Sequence, residues 1–455
     1  MRAVARRAVA LVALALAGAA PAGAVVPEVA PLAAGRGDAA YCLRATGAPG
    51  ALSVAGSQAG GRSFGTDEVG VGLLEAAAAG LARTTRPALP SVGCAAVATA
   101  PGGAAVAAGP RYDGGRYPVR AAVRDPGGRL GRPVALGSGG TRQAPVAAAV
   151  APDGSALVAW IEARASRARV VAARRPAGAA FGPAEPVTGW ARAEHGGDGL
   201  VAAGVDAAGS AVLAWALPSR RRDGLVAIPA ESDVAVARAA PGARFGPAQR
   251  LARRLAGVTR LALAVAPDRR ALLAFDGGEH VRAFESAAGE PFAGGPVAGG
   301  GDTPAVFPAV ALRDGGGAVL AWSDEKTVLW PRDRRAPEGG IRVMTREAPG
   351  AFGPPQALPT PPGRGEAAFP PSLGAFVPAG LASGPQNLGP HVALAPDGRL
   401  VVAWIDAREA PDGDVVAAAR AAAGTLAGGL GPAVWLGGRC RSAGSGAALP
   451  AGDGE

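Results

Sequence analysis

Lysine is almost missing from this sequence: Lys326 stands alone, and arginine supplies the rest of the 46 basic residues. Cysteine, histidine and tyrosine number three each in 455 residues, and aromatics reach only 4%. Three cysteines, with no Cys or His spacing suited to a zinc site, exclude a dense disulfide framework and leave no metal site to expect. His195, His280 and His391 stand in unlike contexts with no Ser or Cys nucleophile motif beside them, so a catalytic triad is not expected. No cofactor-binding motif is present, and none is expected. Beyond the first two dozen residues no apolar run is long enough to span a bilayer. Helical periodicity is absent apart from a hint at Leu73 to Leu81, which excludes a helical solenoid.

Glycine and proline are abundant, at 71 and 42 residues. They recur with a period, so they read as turn punctuation between short strands. The formal charge is +10. The arginines are scattered singly, and the densest cluster, Arg220–Arg222, has no interleaved aromatics on which bases could stack. A nucleic-acid partner is therefore not expected.

Residues 1–24 read as a secretory signal: Arg2, Arg6 and Arg7, a short apolar core from Ala8 to Ala20, then Ala22-Gly23-Ala24 as a small-residue cleavage site. Loss of the three arginines leaves +7. An exported chain permits one disulfide among Cys42, Cys94 and Cys440. Cys94–Cys440 would clasp a closed ring, and Cys42–Cys94 is the alternative.

Five segments read alike: Ala151-Pro152-Asp153-Gly154 leading to Trp160, Gly209 to Trp215, Ala266-Pro267-Asp268 to Phe275, Gly316 to Trp322, and Ala395-Pro396-Asp397-Gly398 to Trp404. From the turn residue to the aromatic anchor is six residues each time, with Arg269 in place of glycine in the third copy. Gly103 to Gly109 keeps the spacing without the aromatic. A second landmark follows each anchor: Leu130-Gly131, Phe181-Gly182-Pro183, Phe245-Gly246-Pro247, Phe292-Ala293, Phe352-Gly353-Pro354 and Leu430-Gly431-Pro432. A period of about 50 residues suits one four-stranded blade. One such sheet cannot bury its own faces, whereas copies stacked in a ring can. The expected fold is therefore an all-β β-propeller of four-stranded blades, six by count of the repeats, or seven if the N-terminal region adds one. The expected organisation is a signal peptide at 1–24 and an irregular segment at 25–90 that resembles a partial blade. Repeats follow near 91–140, 141–190, 199–254, 258–299, 304–359 and 388–437, then a flexible tail at 438–455. Pro359 to Pro390 reads as an insertion loop.

Val401-Val402-Ala403-Trp404-Ile405-Asp406-Ala407-Arg408, followed by Gly413-Asp414-Val415-Val416, resembles repeats of secreted bacterial β-propellers of the sialidase-like type. Glu162 and Arg164 repeat the acid and arginine after Trp160, and Asp324 repeats the acid after Trp322. The resemblance spans roughly residues 90–437 and implies the fold. Asp153 lies seven residues before Trp160, further than in the Asp-box of sialidases, and no Phe-Arg-Ile-Pro-like segment is present. Sialidase activity is therefore not carried over, since a fold does not fix a function.

Glu162, Asp324 and Asp406 each follow an anchor by two residues, which places them on one rim. With Arg164, Arg408 and the off-anchor Trp330 they are the candidate ligand contacts. The alternative for the acids is local pairing, as of Asp406 with Arg408. Tyr112 and Tyr117 flank Asp113-Gly114-Gly115, a hairpin turn or an aromatic shelf for sugar. No residue stands out as catalytic. The expected protein is a secreted, monomeric binding or scaffold propeller that recognises a protein or glycan at the cell envelope. The alternative is a divergent sialidase-like glycoside hydrolase or lyase.

Overall fold

The computed structural model describes residues 40–442 apart from internal stretches, the longest being 60–68, 221–230, 325–339 and 359–388. Among the described residues there is no α-helix, only two 3-10 turns at Pro101–Gly103 and Asp314–Gly316. Among the described residues no helix is long and apolar enough to cross a membrane.

The strands form seven antiparallel sheets, each built on four strands in sequence order. Six coincide with the six repeats. Their first strands are Ala96–Thr99, Val146–Val150, Leu200–Val205, Leu261–Val265, Ala305–Leu312 and His391–Leu394. The remaining sheet comprises Ala40–Ala48, Ala51–Ala59, Val69–Ala77 and Gly80–Arg83, with Pro90–Ser91 paired at its side. This part of the chain is thus a regular meander and not an irregular segment. The helical hint at Leu73 to Leu81 falls on the paired strands Val69–Ala77 and Gly80–Arg83. The expected tail contributes Cys440–Ser442, which pairs with Val415–Ala417.

First strands of successive sheets lie side by side from Ala96–Thr99 through to His391–Leu394. His391–Leu394 in turn neighbours Ala40–Ala48, which neighbours Ala96–Thr99. Sheets radiating from neighbouring first strands make a β-propeller.

The core shows why. Five apolar clusters lie among the described residues, and each is shared between two consecutive sheets. Each anchor aromatic sits in the cluster facing the preceding sheet. Trp160 packs with Val106 and Val119, Trp215 with Leu157 and Ile161, Phe275 with Val212 and Val236, Trp322 with Leu272, and Trp404 with Val343. A side chain of this size buries about 200 Å², worth at most about 5 kcal/mol at 25 cal/mol per Å². Gly137 shows how tight the fit is, since a Cβ there would stand 2.8 Å from Trp160 Cζ2.

First and second strands are joined by the repeated turn. Ala151 N donates to Ser155 O at 2.8 Å, and the pattern recurs at Asp206, Ala266, Arg313 and Ala395. The turn residue has positive φ in every copy, 87° at Gly154 and 86° at Gly398, and Arg269 is held there at 70°. Buried arginines of the third strands cap these turns: Arg124 Nε donates to Gly103 O, Arg175 Nη1 to Gly154 O and Arg346 Nε to Gly316 O. Arg175 also grips Asp125 of the preceding sheet with two bonds, at 2.8 and 3.1 Å.

Candidate functional site

The turns occupy one face of the ring. The other face is where the first strands begin and the second strands end, because Val146 pairs with Trp160, Leu261 with Phe275 and His391 with Ala403. We call it the mouth. The stretches 221–230, 325–340 and 359–390 all join strand ends on this face.

At the centre, first strands of six sheets enclose a cavity of about 170 Å³. Most of its lining residues are small aliphatic ones, such as Ala147, Val201, Leu263 and Val310, which follows from the run of Ala and Val in these strands. Arg260 and His391 are the polar residues of the lining, and both are buried at the mouth end. Arg260 Nη2 lies 3.4 Å from His391 Nδ1.

Asp276 holds Arg260 in place. Its carboxylate, wholly buried beyond Phe275, accepts from Thr259 N at 2.7 Å and Arg260 N at 2.9 Å on Oδ1. On Oδ2 it accepts from Thr259 Oγ1 and, at 2.9 Å, from Phe307 N in the next sheet. Burial pushes the Asp276 carboxyl above the ordinary carboxylate range, and the four donors oppose that shift. Phe307 has φ of 53° at a bulge between Val306 and Ala309. One carboxylate thus fixes the approach to one first strand and a strained point in another. No repeat counterpart signals it, since Ile161, Ala216, Ser323 and Ile405 fill the same position elsewhere.

Glu162 and Asp324 do lie at second-strand ends on the mouth face. Glu162 accepts from Arg169 Nε at 2.6 Å, its cross-strand partner. Asp324 accepts from Trp322 Nε1 at 3.0 Å and pairs with Arg342. Local pairing, weighed above as the alternative to ligand contact, is what these two acids make. Arg164 is exposed at the end of its hairpin. Asp406 and Arg408 fall in the strand Arg399–Glu409 opposite Ala418 and Val416, and their side chains lie outside the described residues. Trp330, Tyr112 and Cys94 also lie outside them. Asp113 and Arg116 exchange backbone bonds at 2.9 and 3.0 Å, the expected two-residue hairpin. Trp190, half-buried, carries the Arg169 guanidinium 4.5 Å above its ring.

No family model matches the chain, and no curated protein matches it. Solved structures do. An ulvan lyase, described as a new family of polysaccharide lyase, is 11% identical over 80% of this chain and 92% of its own, with a TM-score of 0.47. The β-propeller domain of the trilobed protease of Pyrococcus furiosus is 9% identical over 87% and 97%, at 0.42. The fucose-specific lectin of Aleuria aurantia is 10% identical over 74% and 92%, at 0.37. At these values the likenesses carry no functional argument.

Proposed function

We propose that the chain is an exported, monomeric propeller that binds a protein or glycan at the cell envelope through its mouth face, without turning it over. Glycoside cleavage generally requires two carboxyl groups at the bond to be broken. Among the described residues the central cavity has no carboxylate in its lining, and this observation carries the reading. Glu162 and Asp324 are engaged by arginines, and Asp276 is saturated by four donors. The cavity is also smaller than the 300–1,000 Å³ or so of ordinary ligand pockets, which favours recognition on the face over chemistry in a depth. The ring reads as seven blades, with the sheet at 40–91 as the one that bridges last to first. The neighbours of Ala40–Ala48 on both sides support that count.

The test is a glycan array and a panel of envelope proteins probed with the chain starting at Val25, alongside assays for new reducing ends and for unsaturated uronate on the same glycans. The expected result is retention of one class of ligand with no product. Product release from any glycan overturns the reading in favour of a hydrolase or lyase.

A further inference from the structure

The arginines that are scattered in sequence are aligned in the sheet that begins with Val146–Val150. Arg164 stands directly opposite Arg167 in the adjacent strand, and Arg167 directly opposite Arg192 in the strand beyond. All three are exposed. Opposed residues of antiparallel strands share a face of the sheet, and so do residues two apart. The row Arg164–Arg167–Arg192 therefore lies beside a second row on the same face, Glu162–Arg169–Trp190. In this second row Glu162 neutralises Arg169, and Arg169 covers the Trp190 ring.

Like charges directly opposite each other in a sheet destabilise it. Strands about 4.8 Å apart set the Cα atoms of these three arginines in a line across the mouth rim, and each side chain ends in a planar donor fork suited to carboxylate or sulfate. The half-buried indole flanks the line. We propose that this row is a binding site for an acidic polysaccharide, one carrying carboxylate or sulfate groups at regular intervals. The proposal rests on the reading of the chain as a binding propeller and names the ligand class for its mouth face. A single flanking aromatic, already covered by Arg169 on one side, offers no ladder of stacking surfaces for successive bases, which favours a glycan over single-stranded nucleic acid.

The experiment measures the affinity of the chain from Val25 for heparin, alginate and single-stranded DNA over a range of salt concentrations. Three proteins are compared: the wild type, the R164Q/R167Q/R192Q variant, and R129Q/R132Q/R244Q, which removes the same charge from exposed positions elsewhere. Thermal melting confirms that each variant is folded. The site predicts that the rim variant loses about tenfold or more in affinity for the acidic glycan. Its salt slope should fall by roughly two, at about 0.7 for each lost contact with a flexible polyanion. The control variant should match wild type, and W190A should weaken glycan binding as well. Equal losses in both triple variants overturn the proposal, as does tighter binding of DNA than of either glycan. If the wild type holds a neutral glycan or a protein and the rim variant holds it equally well, the row fails while the binding propeller stands. If the wild type holds nothing, the binding propeller itself fails.

Discussion

Gln249 and Phe292 exchange two hydrogen bonds across the boundary between the fourth and fifth sheets. Gln249 Nε2 donates to Phe292 O at 2.7 Å, and Phe292 N donates to Gln249 Oε1 at 2.8 Å. Gln356 does the same with Leu430 across the boundary between the sixth and seventh, at 2.7 and 3.0 Å. Each glutamine lies four residues after its own Phe-Gly-Pro landmark and reads the backbone of the next landmark along. The sheets are therefore joined by directed polar bonds as well as by apolar contact. Q249A leaves a backbone N–H and C=O without partners, at a cost of about 1–3 kcal/mol. Urea unfolding of Q249A, Q356A and the double variant should show costs that add, because the two clips share no residue. A double variant no worse than either single one would refute independent joints.

Gly137 leaves room for the Trp160 indole. G137A should cost about 1–3 kcal/mol by overpacking. W160F removes the ring edge that crowds the new methyl, so G137A/W160F should be less destabilised than the sum of its parts. Simple additivity in chemical denaturation would show that the two residues do not meet as described.

Arg269 occupies a turn position that glycine fills in the other copies, at φ of 70°. A left-handed conformation costs a non-glycine residue roughly 1–2 kcal/mol. The Arg269–Asp206 contact, at 3.7 Å with Arg269 more than half exposed, offsets little of that. R269G also gains freedom in the unfolded chain, so a net stabilisation of roughly 0.5 kcal/mol is expected. A lower urea midpoint for R269G would contradict it.

Asp276 carries a pH signature. D276N puts an amide N–H₂ among four donors and should cost about 2–4 kcal/mol at pH 7. The wild-type carboxyl is raised in the folded state, whereas in the unfolded chain it titrates near 3.9. Its contribution is therefore complete below about pH 3.9 and declines as pH rises through the folded value. The stability gap between wild type and D276N should widen as pH falls from 7 towards 4. A gap that narrows over that range would show that the four donors outweigh burial.

The anchors and turns were legible in the sequence because each copy meets the same demand with the same residue types. Trp160, Trp215, Phe275, Trp322 and Trp404 all fill a space against the preceding sheet, and the turn always requires positive φ. Other joints repeat in place but not in chemistry. Seven residues before the second landmark, Arg174 lies 5.5 Å from the Phe245 ring and Arg238 4.9 Å from the Phe292 ring, each in the sheet that follows. At the same position Glu285 pairs with Arg346 at 2.8 Å, and Thr345 Oγ1 donates to Leu426 O at 3.2 Å. A cation on a ring, an ion pair and a hydroxyl bond share no letter, so sequence comparison between copies passes over them. Asp276 was hidden for the opposite reason, since it occurs once. The arginine row was hidden because strand register, and not sequence distance, brings Arg192 opposite Arg167. Glu162 and Asp324 lie at second-strand ends, but their arginine partners lie in the next strand and leave no nearby trace.

The two faces of the ring differ in what they tolerate. In the six repeats every turn between first and second strands is short and is locked by a buried arginine, an aspartate or a neighbouring sheet. The opposite connections range from the two-residue hairpin between Arg164 and Arg167 to the span 359–390. Away from the Thr259–Arg260 approach that Asp276 holds, changes in length on that side touch none of the joints described above. Segments transplanted there from another protein would alter what the molecule recognises while leaving its melting behaviour nearly untouched, which makes this side the natural place to re-engineer specificity.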